Sequence, residues 1–187
     1  MRHEVLQLDV TGTPQAWIPV EDAAGHLVTG TVAWHLGDAP LAVLRGGMNA
    51  VSGRQSILEV PPIIALRGAS KINLFDLVPV YSKTKVLRRD RHTCNFCGEV
   101  FPENLLTVDH IIPESKGGPL SWTNTCAACR DCNARKADRT PDEAKMPLLF
   151  LPYVPSRVED FILKGRNIRG DVHEWLAAKL PKHSRLQ

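Results

Sequence analysis

Cys94-Asn95-Phe96-Cys97 and Cys129-Arg130-Asp131-Cys132 place two Cys-x-x-Cys pairs in a chain of 187 residues that holds only five cysteines. Paired cysteines at this spacing are the ligand pattern of a tetrahedral zinc site, whose four thiolates can staple a segment with little core of its own. Thirty-one residues separate Cys97 from Cys129, more than a simple finger loop holds, so the gap must enclose structure. Cys126 makes a further Cys-x-x-Cys with Cys129, but a closed site takes only four ligands. It is assigned to the core, on a helix expected over Trp122 to Ala128, where a small apolar thiol packs easily. His92 is an alternative ligand that reads better as a solvent-facing residue at a helix end.

Nothing apolar follows the basic start Met1-Arg2-His3-Glu4, so no secretory leader is expected and the location reads as cytoplasmic. A reducing compartment sustains no disulfide framework, which again favours metal. The longest apolar stretches, Pro61 to Leu66 and Met146 to Leu151, are far below the roughly 20 residues that cross a bilayer, so no membrane partner is expected. A net charge of +3 is too small to imply nucleic acid by itself, but its placement is informative. Lys83, Lys85, Arg88, Arg89 and Arg91 precede the first pair against Asp90 alone. Arg130, Arg135, Lys136 and Arg139 surround the second against Asp131 and Asp138.

Hydrophobic periodicity organises the rest. Leu6, Leu8 and Val10 alternate as a strand, and Val20, Ala23, Ala24, Leu27 and Val28 follow helical spacing between Pro19 and Gly30. Val32, Trp34 and Leu36, the turn Gly37-Asp38-Ala39-Pro40, and Leu41 and Val43 predict a hairpin over residues 31 to 45. Ser56 to Val60 adds a strand stopped by Pro61-Pro62. Arg45-Gly46-Gly47 and Gly53-Arg54 match no phosphate-binding fingerprint and read as ordinary loops. Residues 67 to 82 form a mixed connection, and Ser82 caps a basic helix running to about Arg91. Gly98 closes a knuckle at the first cysteine pair, and Leu105, Thr107 and Asp109 alternate as a strand. Thr140-Pro141-Asp142-Glu143 is a capping box with proline at the first helical position. Two helical faces follow, Val158, Phe161 and Ile162, then Val172, Trp175, Leu176 and Leu180, with Asp171 available as a cap.

Within the cysteine region stand Asp109-His110-Ile111-Ile112-Pro113, Gly117-Gly118, Trp122-Thr123-Asn124, and Asn133 and Lys136 after the last cysteine. Singly, Asp109 could be a salt-bridge partner, His110 an interior histidine and Asn124 a helix cap. Together, over residues 88 to 145, they resemble the HNH endonucleases of the ββα-metal (His-Me finger) group. The amino-terminal third is diffusely similar to the leader of bacterial and phage HNH proteins.

The resemblance implies an α+β fold: a ββα-metal nuclease core stapled by zinc on Cys94, Cys97, Cys129 and Cys132, over residues 81–145. A small mixed strand and helix unit occupies residues 1–80, and a helical extension residues 146–187. It implies that His110 is general base on the attacking water, that Asp109 and Asn133 hold the catalytic divalent metal, and that Asn124 orients the histidine loop. Asn133 stands where histidine is usual, an H-N-N variant, and its amide oxygen favours Mg2+ or Mn2+ over nickel or cobalt. Arg88, Arg91, Arg135 and Lys136 are expected to contact phosphate. The partner implied is DNA, hydrolysed to 5′-phosphate and 3′-hydroxyl ends. A single chain would nick, and a homodimer or partner protein would cut both strands. The competing reading is a zinc-stapled DNA- or RNA-binding module without catalysis, which leaves Asp109, His110 and Asn133 unexplained.

Overall fold

The computed structural model describes residues 4–68, 77–165 and 167–187. The connection expected over residues 67 to 82 falls in part outside these, as does Met1-Arg2-His3. The chain divides into two compact units, Met1–Asn73 with Gly165–Lys179, and Leu74–Lys164 with Leu180–Gln187. Among the described residues no helix is long and apolar enough to cross a membrane.

The first unit contains β1 (Glu4–Leu8), β2 (Pro14–Pro19), α1 (Val20–Val28), β3 (Val32–Leu36), β4 (Ala42–Met48), β5 (Gln55–Val60) and β6 (Ile63–Leu66). Four strands form one sheet in the order β2-β1-β6-β3, with β1 and β6 parallel and both outer pairs antiparallel. The apolar run Ile63-Ile64-Ala65 is fully buried, so it takes an inner position, as strands covered on both faces do. Val5, Ala23, Ala24, Val60 and Ile64 make the core on which α1 packs.

The hairpin expected over residues 31 to 45 does not form. Its strands exist, but β3 pairs with β6 and β4 with β5. Alternation fixes which face a strand buries and says nothing of its neighbour. Gly37 ends β3 at φ 135°, with Pro62 so near that a Cβ would lie 2.3 Å from its Cγ.

The second unit contains α2 (Lys83–Arg89), β7 (Leu106–His110), β8 (Thr125–Cys129), α3 (Arg130–Lys136), α4 (Pro141–Ala144) and α5 (Arg157–Lys164). Ser82 caps α2 through Lys85 N, and the capping box at Thr140 and Glu143 starts α4. The core gathers Leu87, Cys94, Leu106, Ala127, Ala128 and Met146, with Phe96, Phe101 and Val108 against it. The helix expected over Trp122 to Ala128 is instead mostly β8. Its five residues are all buried and pair with β7, Leu106 to Cys129 through His110 to Thr125.

A buried ion pair enforces that choice of strand over helix. Arg89 and Asp90 have no exposed surface. Arg89 donates to the carbonyls of Trp122, Thr125 and Tyr153, and Asp90 Oδ2 accepts from Ala127 N at 2.8 Å. These tertiary partners hold the backbone groups of a stretch whose Thr, Asn and Cys residues are themselves weak helix formers. The residues of the expected carboxy-terminal extension are shared between the units. Helix α5 and the last residues belong to the second, and α6 (Gly170–Ala177) to the first. There Arg169 holds Asp171 at 2.7 Å and the Ala39 carbonyl at 3.0 Å.

Candidate active site and metal centre

The sulfurs of Cys94, Cys97, Cys129 and Cys132 lie within 4.8 Å of one another. Four thiolates around zinc stand about 3.8 Å apart for Zn–S bonds of about 2.3 Å, so the cluster fits a tetrahedral ion with small adjustments. Local structure builds each half. Gly98, at φ 78°, donates to the Cys94 carbonyl, and Cys94 N returns to Glu99 O, which folds the first pair into a knuckle. Cys129 ends β8 and caps α3, its sulfur accepting from Cys132 N. Burial raises the Cys94 thiol, but the backbone at Cys129, Cys97 and Phe96 outweighs it and draws the thiol below its ordinary value. Cys132 is pushed up by burial and by its sulfur neighbours, a crowding of thiolates that a dication relieves.

Cys126 lies outside the cluster, fully buried, and burial lifts its thiol to about 12. It packs as an inert core residue. His92 is half-buried at φ 53° and 3.8 Å from Glu103. Asn95, between the first two cysteines, is also fully buried. Its side chain pairs with both backbone groups of Phe150, and its N–H reaches Ala127 O. It thus ties the knuckle to β8 and to the segment after α4, a role with no signal in the sequence.

A cleft of about 530 Å³ opens beside the ββα unit, lined by Asp109, His110, Pro113, Glu114, Ser115, Asn133, Lys136, Ala137 and Asp138. Strand β7 delivers Asp109 and His110, and one turn of α3 delivers Asn133 and Lys136. Asn133 Nδ2 donates to Thr107 Oγ1 at 2.9 Å, which fixes the amide against β7. His110 is half-buried at the strand end, and among the described residues its ring takes no hydrogen bond. Glu114 and Asp138 are cleft carboxylates that the spacing argument passed over.

Asn124 does not line this cleft. Its Oδ1 accepts from Ile112 N at 2.9 Å, and its Nδ2 donates to the carbonyls of Ile112 and Pro119. Its own carbonyl accepts from Ile111 N. The residues directly after His110 are therefore bound to Asn124 on both edges. Gly118 must be glycine here, since a Cβ would lie 1.8 Å from the Ile112 carbonyl oxygen.

Asp109 is 7% exposed. Burial raises its carboxyl above the ordinary value, with Lys136 acting in opposition. The Lys136 ammonium donates to Oδ1 at 3.2 Å and lies 3.1 Å from Oδ2, yet Oδ2 is buried with no hydrogen bond. A buried carboxylate oxygen in need of a donor, beside an amide, forms a hard-oxygen donor set that fits a divalent cation of the magnesium type. Lys136, expected to contact phosphate, is 1% exposed and faces Asp109. Arg88 is half-buried and donates to Leu163 O at 2.6 Å. Arg91 and Arg135 are exposed.

Two paired strands followed by a helix, with an aspartate-histidine pair ending the first strand and an amide on the helix, make the ββα arrangement of metal-dependent nuclease domains. Residues 94–149 match a family model described as HNH endonuclease, so the chain carries an HNH domain with a four-cysteine cluster able to hold zinc. No curated protein matches the chain.

Proposed function

We propose that this protein is a metal-dependent DNA endonuclease whose cleft hydrolyses phosphodiester bonds. The observation that carries the reading is the convergence of Asp109, His110 and Asn133 on one cleft inside a segment of the HNH endonuclease family. His110, whose ring takes no hydrogen bond among the described residues, takes the proton of the attacking water, as an imidazole can near neutrality. Asn124 holds the chain on from His110 and so fixes the direction of the ring. Asp109 and Asn133 are the protein ligands for Mg2+ or Mn2+, which when bound supplies positive charge to the phosphate as its negative charge grows. Arg91 and Arg135 offer exposed cations to the backbone of the nucleic acid. Zinc on the four thiolates would be closed to substrate and would act as a staple. The five cysteines, none of them in a disulfide, fit an intracellular setting.

Supercoiled plasmid with Mg2+ and the zinc-loaded protein should be nicked, giving 5′-phosphate ends. His110→Ala should keep its fold and lose about two to four powers of ten in rate, the usual worth of a general base. Equal cutting by the variant would remove His110 from the mechanism. Binding of duplex by the wild type with no cutting would make the chain a binding module.

A further inference from the structure

We propose that Lys136 is a tethered counter-ion for Asp109, covering the carboxylate and leaving it when a divalent cation enters. This inference rests on the metal-dependent reading above and concerns how the same site is filled.

The Lys136 side chain is buried, and both Asp109 oxygens lie within 3.2 Å of its ammonium. Among the described residues its one other hydrogen bond is to the Ala137 carbonyl at 3.4 Å, so the carboxylate is its charge partner. The pairing differs from that at Asp160, another buried acid of this unit, which is shared among Lys85, Arg157 and Lys164. At Asp109 a single ammonium, that of Lys136, pairs with the carboxylate among the described residues. Oδ2, which accepts no hydrogen bond, has essentially no accessible surface and lies 3.1 Å from the ammonium. A divalent cation on that oxygen would stand beside a monovalent one at low dielectric, where like charges repel strongly. One of them has to move, and the flexible four-carbon stem belongs to lysine.

The cleft supplies the destination. Lys136 lines it together with His110 and Asn133, so an ammonium released from Asp109 remains on the wall where a substrate phosphate would lie. Metal entry thereby frees a phosphate-binding cation, and a bound phosphate rewards its release. The two ligands should strengthen one another, and by the same factor in either order.

The test uses the full zinc-loaded chain and two readouts other than cleavage. First, an amine-reactive reagent followed by mass spectrometry should modify Lys136 slowly without Mg2+ and several-fold faster with it. Second, Mn2+ titrations followed by electron paramagnetic resonance, without nucleic acid, compare wild type, Lys136→Met and Asp109→Asn. Lys136→Met should bind Mn2+ about ten- to hundredfold tighter, the range over which groups behind a metal ligand change its affinity, and Asp109→Asn should lose that site. Equal protection of Lys136 with and without Mg2+, or equal or weaker Mn2+ binding by Lys136→Met, overturns the proposal. If Lys136→Met does not fold, the labelling of the wild type still decides. Plasmid nicking by the wild type tests the nuclease reading separately, so a protein that nicks while Lys136 stays protected loses only the counter-ion.

Discussion

Ala137 follows Lys136 at the end of α3 with φ 50° and ψ −142°, a backbone region in which a Cβ is strained. Such a residue carries a cost of about 1–3 kcal/mol unless it is glycine. Ala137 also lines the cleft, and its carbonyl receives the weak contact from Lys136. Its N–H donates to the Asn133 main-chain carbonyl, so the strained turn closes the last turn of α3 beside the lysine. Ala137→Gly should stabilise the protein by about 1 kcal/mol after the entropic cost of glycine. In a chain of this size that raises the melting temperature by about 2–4 °C. An unchanged or lowered melting temperature would show that the alanine is not strained. At the same scale spacing left Cys126 beside Cys129 as a rival, and the four-ligand limit of a closed site separated ligand from bystander among the cysteines. It could not show that Lys136 faces inward, because a lysine three residues beyond Asn133 is one turn away whether it points to solvent or to Asp109.

Between elements, the loop after β7 is tied to α4 by Lys116 and Glu143, 2.5 Å apart, while Glu143 also accepts from Thr140 N in the capping box. The Lys116 hydrogen bond first, and then the Thr140 N–H, hold the Glu143 carboxyl below its ordinary value. A depressed carboxyl stabilises the fold fully above its unfolded-state value, about 4.3 for glutamate, and the contribution fades as pH falls through the folded-state value. Glu143→Gln should therefore melt below the wild type at neutral pH, and the gap should close in acid. The difference between the two proteins is the quantity to follow, because acid also protonates the thiolates that hold zinc. A gap that widens toward acid contradicts the assignment. Exposure of the pair also makes the effect fade with added salt.

Elements themselves were legible in proportion to how local their causes are. The caps at Ser82 and Thr140 and the knuckle at Gly98 involve neighbours in sequence, and they stand where expected. The partner of β3 and the strand character of Thr125 to Cys129 are set from far away, by β6 and by the Arg89–Asp90 pair. Arg89 and Asp90 look in sequence like two more surface charges of a basic helix. Their full burial arises only when β8 presents free backbone groups to them. Asp109, His110 and Asn133, singled out by their chemistry and their place among the cysteines, line one cleft, a grouping that needs only the local β7 and α3 around the cysteine pairs.

On the scale of the molecule, the two units differ in what holds them together. The first has a four-stranded sheet with a continuous apolar core of Val5, Ala23, Ala24, Val60 and Ile64. The second has a two-stranded sheet, and three residues of its apolar cluster, Cys94, Cys129 and Cys132, belong to the four-cysteine group that could hold a metal ion. A two-stranded pair is marginal by itself, and zinc binding to such a site is folding free energy, because the unfolded chain has no preformed site. Helix α5 and the last residues add support through Glu159, which is buried and accepts from Tyr153 and Ser184. Removal of zinc by a strong chelator should therefore cost the second unit selectively. In hydrogen exchange read by mass spectrometry, peptides from β7, β8 and α3 should lose protection on chelation, while those from β1, β6 and α1 keep theirs. Added zinc should restore the lost protection, and Cys129→Ser should reproduce the chelated pattern without any chelator. If β1 and β6 open together with β7 and β8, the units do not stand on separate supports, and the thiolate cluster would have to stabilise the whole chain.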